Sequence, residues 1–251
     1  MSVDSKHIFR ARIEELARTA AERNCYIFTD FLNPAEQSFV LSAERYLPVP
    51  VTCSGGWARA ERVMARFGPA EEAEYEMPFP IALLRISPLN ARFSDTLSHR
   101  DFLGAVMNLG IDRRFTGDIL TDGTEGWLFA AEHMAPFIAE NLTRVRHTVV
   151  SVGRADALPE GLVPEPEQMI LITPSLRLDA VIAKAYHLSR RETDGLLAAE
   201  KVFVNSRLQK KGTHILREGD LVSVRGHGRI RYLDKSGDTR KGNLRITVER
   251  Y

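Results

Sequence analysis

Apolar residues recur along this chain with periods that change from one segment to the next. Between Lys6 and Arg23, Ile8, Ile13, Leu16, Ala17 and Ala20 fall at helical spacing among charged residues, which predicts an amphipathic helix. Asn33-Pro34-Ala35-Glu36 predicts the start of a second. Asn can cap exposed amides, Pro suits the first turn, and Glu can return a bond to complete a capping box. Phe39, Val40 and Ala43 supply its apolar stripe. Val49 to Cys53 predicts a short strand leading into Ser54-Gly55-Gly56, and Trp57 to Phe67 a helix stopped by Gly68-Pro69. The acidic stretch Glu71 to Glu76, with Pro78 and Pro80, marks a boundary, so residues 1–76 are expected to form a mainly helical domain.

The next segment alternates between periods. Ile81 to Ile86 predicts a strand, and Ser98-His99-Arg100-Asp101 opens a helix carrying Phe102, Leu103, Val106 and Met107. Asp118 to Leu120 and Trp127 to Ala131 predict strands on either side of an Asp122-Gly123 turn. Ala135 to Leu142 predicts a helix and Val145 to Val152 a closing strand. The resulting βαββαβ order over residues 77–157 predicts a ferredoxin-like, RRM-like split unit. Trp127 and Phe129 alternate on its third strand, where such folds can stack bases; packing inside the core is favoured, as is usual for aromatics. The composition of Leu158 to Glu167, LPEGLVPEPE, predicts a linker over 158–174.

From Ser175 the pattern is again regular. Leu178, Val181, Ile182 and Ala185 form one buried face of a helix over 176–186. Ser189-Arg190-Arg191-Glu192 is a second capping box, opening a helix that runs to about Glu200, with Gly195 suggesting close helix contact. Strands are predicted at Lys201 to Val204 and Leu221 to Val224, with turns at Asn205-Ser206 and Glu218-Gly219-Asp220. A hairpin joins Ile230–Leu233 to Leu244–Val248 around Lys235 to Asp238. The fold class is therefore α+β in three parts, the last spanning 175–251.

Charge changes this picture. The net charge is +1, yet residues 173–251 hold 17 Lys and Arg against 9 Asp and Glu, while the remainder holds 17 against 24. A basic end on an acidic front suggests that one module meets a polyanion. The local arrangement sharpens this. Arg190 and Arg191 occupy the first turn of a helix, whose unpaired N–H groups already carry partial positive charge. Two arginines there repel that end unless an anion is near, and a phosphate would satisfy both.

Other chemistry is not indicated. Cys25 and Cys53 form no CxxC pair and are expected to be buried free thiols, and the 7 histidines have no HxxxH or HxH spacing, so neither a disulfide framework nor structural zinc is expected. Phosphate-loop and dinucleotide signatures do not occur, and no cofactor is expected. No run approaches the roughly 18 apolar residues that span a bilayer. The start, MSVDSKHIFRARIEEL, carries acids and no apolar region. A cytoplasmic protein with no membrane partner is the simplest expectation. Ser98, His99 and Asp101, within four consecutive residues on a helix start, cannot form a catalytic triad.

The run RLDAVIAKAYHLSRRETDGLLAAEKVFVN followed by EGDLVSVRG resembles the S-four domain, an RNA-binding helix pair with following strands. On that resemblance Arg177, Asp179, Ser189, Arg190, Arg191, Lys201 and Asn205 take the RNA-facing positions, with acidic Asp179 orienting Arg177 or Arg190. Lys184, Arg207, Lys210, Lys211, Arg225 and Arg229 are the further basic positions expected to join them. NPAEQ, GGWARAER, LSHRDFLGAVMNLGIDRRFTGDI and SVRGHGRIR extend the likeness over nearly the whole chain, which resembles the YlmH (RqcP-type) bacterial family. This resemblance implies a non-enzymatic, monomeric protein of the large ribosomal subunit. Its implied partners are ribosomal RNA, tRNA and quality-control factors, and its implied role is holding tRNA while stalled nascent chains are tailed. His99, Arg100, Arg113 and Arg114 offer a second RNA surface. The alternative is an RNA-modifying enzyme: Arg177-Leu178-Asp179 is similar to the catalytic tripeptide of pseudouridine synthases, although too little chain follows it to build such a catalytic domain.

Overall fold

The computed structural model describes residues 3–69, 76–90, 95–163 and 165–251. Most of the acidic boundary stretch, residues 71–75, and Pro164 of the Pro/Glu-rich passage lie outside the described residues. The chain forms two compact units, residues 1–163 and 164–251.

The first unit opens with α1 (Val3–Arg23), β1 (Ile27–Phe28) and α2 (Pro34–Ala43). The Asn33 side chain accepts from Ala35 N and Glu36 N, while Glu36 accepts from Asn33 N at 2.8 Å, completing the capping box. Ile13, Ala17 and Ala20 are fully buried, but Ile8 is exposed; Phe9 takes the stripe position, edge-on to Phe39. β2 (Val51–Ser54) and β3 (Met64–Phe67) follow, giving an antiparallel sheet of order β1-β3-β2.

The helix expected over Trp57 to Phe67 is therefore absent, and the mainly helical domain expected over 1–76 contains a sheet. Residues 57–62 are turns, and 64–67 are the central strand. Residues 63–68 are all buried, so this strand shows no alternation, and a short apolar run of that kind cannot be told from a buried helix by its period.

A five-stranded antiparallel sheet of order β5-β6-β4-β8-β7 completes the unit. It comprises β4 (Ile81–Pro88), α3 (His99–Met107), β5 (Thr116–Thr121), β6 (Gly126–Ala131), α4 (Ala135–Asn141), β7 (Arg144–Val145) and β8 (Thr148–Arg154). Leu84, Ile86 and Leu128 face Phe102, Val106 and Ile138 of the two helices. The other face is covered as well: Phe129 and Ala131 pack with Phe31 and Met64, against Ile81 and Leu83. Gly56, at φ +89°, makes this closure possible, because a Cβ there would lie 2.6 Å from the Phe129 ring.

Polar groups tie the front of the chain to this sheet. The Asp118 carboxylate accepts from Trp57 Nε1 (3.1 Å), Glu61 N (2.7 Å) and Arg62 N (3.1 Å). Arg62 in turn donates to the carbonyls of Thr116, Phe31 and Arg113.

The second unit is one six-stranded antiparallel sheet of order β11-β10-β12-β13-β14-β9. It is packed on α5 (Leu178–Ala185) and α6 (Arg190–Ala198). The strands are β9 (Glu167–Thr173), β10 (Val202–Val204), β11 (Arg207–Leu208), β12 (Leu221–Val224), β13 (Gly228–Asp238) and β14 (Leu244–Arg250). Part of the segment read as a 158–174 linker is thus a full strand, paired with β14 over seven residues. Its alternation of Leu171 and Thr173 inward with Ile170 and Ile172 outward was hidden by the Pro/Glu-rich run before it. The final hairpin also turns later than expected. Lys235 to Asp238 stay in the strand through two register shifts, and the turn falls at 239–243.

Candidate nucleic-acid interface

The helix pair of the second unit exists because two short segments share one apolar core, the second of them closed by its own capping box. Leu178, Val181, Ile182 and Ala185 of α5 are fully buried, with Leu197 of α6, against Val202, Val222, Ile246 and Val248 of the sheet. At α6 the Ser189 side chain accepts from Glu192 N at 3.3 Å, and the Glu192 carboxylate accepts from Ser189 N at 2.8 Å. Bonds from the Ser189 hydroxyl and backbone hold the Glu192 carboxyl below the usual carboxylate range. A cap of this type is worth about 1 kcal/mol. It leaves Arg190 and Arg191 exposed on the first turn.

At the start of α5, Arg177 grips Asp179 in a fork. Nε donates to Oδ1 at 3.1 Å and Nη2 to Oδ2 at 2.6 Å. Asp179 also accepts from Ala180 N at 2.8 Å. The Arg177 bond holds the Asp179 carboxyl below its ordinary range, helped by Ala180 N–H and by the charges of Arg177 and Arg190, with partial burial acting the other way. Asp179 therefore orients Arg177 at the start of α5. A third segment closes on this point. Asp179 N donates to Gly212 O (3.1 Å), Leu178 N to His214 O (2.8 Å), and a Cβ at Gly212 would lie 2.8 Å from the Asp179 side chain. The loop carrying Lys210 and Lys211 is thus stitched to the start of α5. Gly212 was not among the residues expected at the site: its partner stands 33 positions away, and only a Gly directly after two lysines hints at a close approach.

The remaining expected residues divide by what they touch. Lys184, Lys201 and Lys211 are exposed, and Lys210 pairs with Glu200 at 2.6 Å. Arg225 lies 5.1 Å over the Phe203 ring, and Arg207 and Arg229 stand on β11 and β13. Asn205 acts locally. Its amide donates to Asp220 Oδ1 (2.7 Å) and its carbonyl accepts from Leu221 N (2.9 Å), holding a turn in which Asn205 and Ser206 both have positive φ. Exposed His227 rests against Tyr186, ring centroids 5.6 Å apart. Burial pushes the Tyr186 hydroxyl up to about 12.

The set expected as a second surface does not stay together. His99 and Arg100 are exposed at the start of α3, where Asp101 accepts from Ser98 N (2.8 Å) and Ser98 Oγ (2.6 Å). Arg113 turns inward instead, donating to Thr116 Oγ1 and to the carbonyls of Thr116 and Gly117. Burial, then the charge of Arg62, lowers it to about 10. Arg114 is held at Asp112 (3.4 Å) and Asp30 (3.8 Å) and lies over Phe115. Arg113 thus supports a structural junction. Trp127 and Phe129 are each 3% exposed, so neither presents a ring for base stacking.

Among the described residues no group of three or more His, Cys, Asp or Glu side chains is placed to hold a metal ion, and no helix is long and apolar enough to cross a membrane. Cys25 and Cys53 are free thiols and only half-buried.

The chain is similar to known proteins. Residues 74–158 match the family described as "Putative RNA-binding domain in YlmH". The chain is 33% identical over 245 residues to the "Ribosome-associated protein quality control protein P2" of Bacillus subtilis (strain 168), covering 94% of this chain and 91% of that protein. A solved structure, "Cell division protein ylmH from Streptococcus pneumoniae", aligns at 24% identity with a TM-score of 0.48, over 62% of this chain and 93% of that one.

Proposed function

The chain belongs to the YlmH (RqcP-type) family of bacterial RNA-binding proteins, and on that premise we propose that it is a non-enzymatic factor of the large ribosomal subunit, holding tRNA while stalled nascent chains are tailed. The name of the Bacillus subtilis relative supports the ribosomal and quality-control part of this reading. One observation carries the RNA contact. Arg190 and Arg191 stand exposed on the first turn of a capped helix, and Arg177 is held as an oriented fork at the start of the helix before it. Guanidinium groups beside free helix amides form an anion site suited to phosphate oxygens. Ribosomal RNA, tRNA and quality-control factors are the partners, in the cytoplasm, with the protein acting as a monomer.

In this reading the basic residues of 175–251 are the RNA-facing set, and residues 77–157 form a ferredoxin-like unit. The antiparallel order β5-β6-β4-β8 supports that assignment, since it places the third strand of the unit beside the first. The enzyme alternative gains no support at Asp179, whose carboxylate is spent on Arg177 and Ala180.

The test is Arg190→Ala with Arg191→Ala in the full chain, titrated against labelled tRNA and a large-subunit rRNA fragment over a salt series. Two lost phosphate contacts should weaken binding and reduce the slope of log K against log salt by about 1.4 to 1.8. Unchanged affinity and slope would remove the helix-end arginines from the RNA contact.

A further inference from the structure

In the region that matches the family model, residues 74–158, one face of the sheet is closed. Phe129 is buried under Phe31 and Met64, and Trp127 is buried on the same strand, so the bases of an RNA have no aromatic platform there. The helical side of the same sheet is different. An open cleft of about 520 Å³ runs between α3 and the segment joining α4 to β7. That volume lies within the roughly 300–1,000 Å³ of ordinary ligand clefts.

Three arginines line it: Arg100 from α3, and Arg144 and Arg146 from the hairpin β7–β8. All three are exposed, and Arg100 and Arg144 make no ion pair among the described residues. Arg146 is held at φ +51°, a conformation that non-glycine residues seldom adopt, with Nε 3.7 Å from Asp101 Oδ1. Asp101 is the one carboxylate of the lining, and it is already engaged by Ser98. Three guanidinium groups against one engaged carboxylate leave the cleft positive.

A second observation is independent of charge. Arg100, Gly104 and Asn108 stand at successive i, i+4 positions along the rim of α3. Glycine in the middle of a helix is unfavourable relative to alanine, and such a residue normally has a packing reason. Gly104 has none inside the chain, since a Cβ there would meet nothing within 4 Å. The notch it leaves opens into the cleft, between an arginine and an amide, and suits the close approach of another molecule's backbone.

We propose that this cleft, with Arg100, Arg144 and Arg146 around the Gly104 notch, is a second RNA site that grips the phosphate backbone from the helical side of the middle sheet. The proposal rests on the RNA-binding reading above and names the surface through which the first unit would take part. Guanidinium forks match phosphate oxygens in pairs, and the open side of the cleft admits a polymer.

The experiment uses the full chain and a fluorescein-labelled RNA hairpin with a single-stranded 3′ tail, titrated at about 50 to 200 mM salt. Arg100→Glu with Arg144→Glu should raise the Kd at least tenfold and lower the salt slope by about 1.4 to 1.8. Arg18→Glu with Arg23→Glu, the same charge change on α1, should have a much smaller effect. Gly104→Gln should raise the melting temperature while weakening RNA binding severalfold, because it fills the notch with a better helix former. Unchanged affinity in the cleft variants, or an equal loss in the α1 control, would overturn the proposal. So would displacement of the RNA from the wild-type cleft, but not from the cleft variant, by polyglutamate at lower concentration than by unlabelled RNA; that result would assign the cleft to an acidic polypeptide. If Arg190→Ala with Arg191→Ala weakens binding and the cleft pair does not, the cleft is wrong and the S-four reading stands. If neither pair moves it, the RNA reading itself fails.

Discussion

Arg177 holds Asp179 by two parallel bonds, Nε to Oδ1 and Nη2 to Oδ2, at a point where Gly212 leaves no room for a Cβ beside the Asp179 side chain. The pair fixes a guanidinium rather than a fold. Arg177 is 40% exposed, so the ion pair contributes at most about 1 kcal/mol to stability. Asp179→Asn should therefore lower the melting temperature by at most a few degrees and weaken RNA binding severalfold, because an amide supplies one acceptor in place of two. Arg177→Lys should weaken it as much, since an ammonium cannot form the fork. Anisotropy titration of both variants against one RNA checks this.

The acid limb of the stability curve follows from the same residue. The Asp179 carboxyl is held below its unfolded value, mainly by the Arg177 bond. A group depressed in this way contributes stability that is fully present above about pH 4 and is lost as pH falls through the lowered folded value. Urea unfolding from pH 5 down to 3 should show wild-type stability falling, with a shallower fall in Asp179→Asn. Parallel curves would remove Asp179 from the acid response.

Asp118 is the joint between the front of the chain and the middle sheet. It takes three N–H donors from Trp57, Glu61 and Arg62, and a hydrogen bond to a charged group contributes about 1.5 to 3 kcal/mol net of exchange with water, less where the site is exposed. Asp118→Ala should destabilise the chain by about 2 to 4 kcal/mol, by orphaning Trp57 Nε1 and two backbone amides. Chemical denaturation measures the loss. RNA affinity of the protein that remains folded should be unchanged in the Arg190–Arg191 module, which lies in the other compact unit.

What could be read in the sequence was local. The caps at Asn33, Ser98 and Ser189, the amphipathic stripe of α5 and the alternation of β14 depend on neighbours a few positions away, and each produced the expected element. The exposed Arg190–Arg191 pair followed from the same local rule, because a capped first turn points its outer side chains at solvent. The family likeness extended these signals over most of the chain.

Tertiary structure decided whatever depended on a distant partner. Met64 to Phe67 became a central strand, and Glu167 to Thr173 an edge strand, because β1, β2 and β14 supplied their hydrogen bonds. Arg113 left the expected second surface because Thr116 and Gly117 carbonyls satisfied it inside the junction that Arg62 also fills. The Gly212 contact behind Asp179, and the meeting of Arg100 with Arg144 and Arg146 across one cleft, likewise exist only once the chain is folded. A propensity or a cap is stabilised within one turn of helix. A paired strand, a buried guanidinium or a shared cleft is stabilised by groups far away in sequence, and their position is a property of the packed whole.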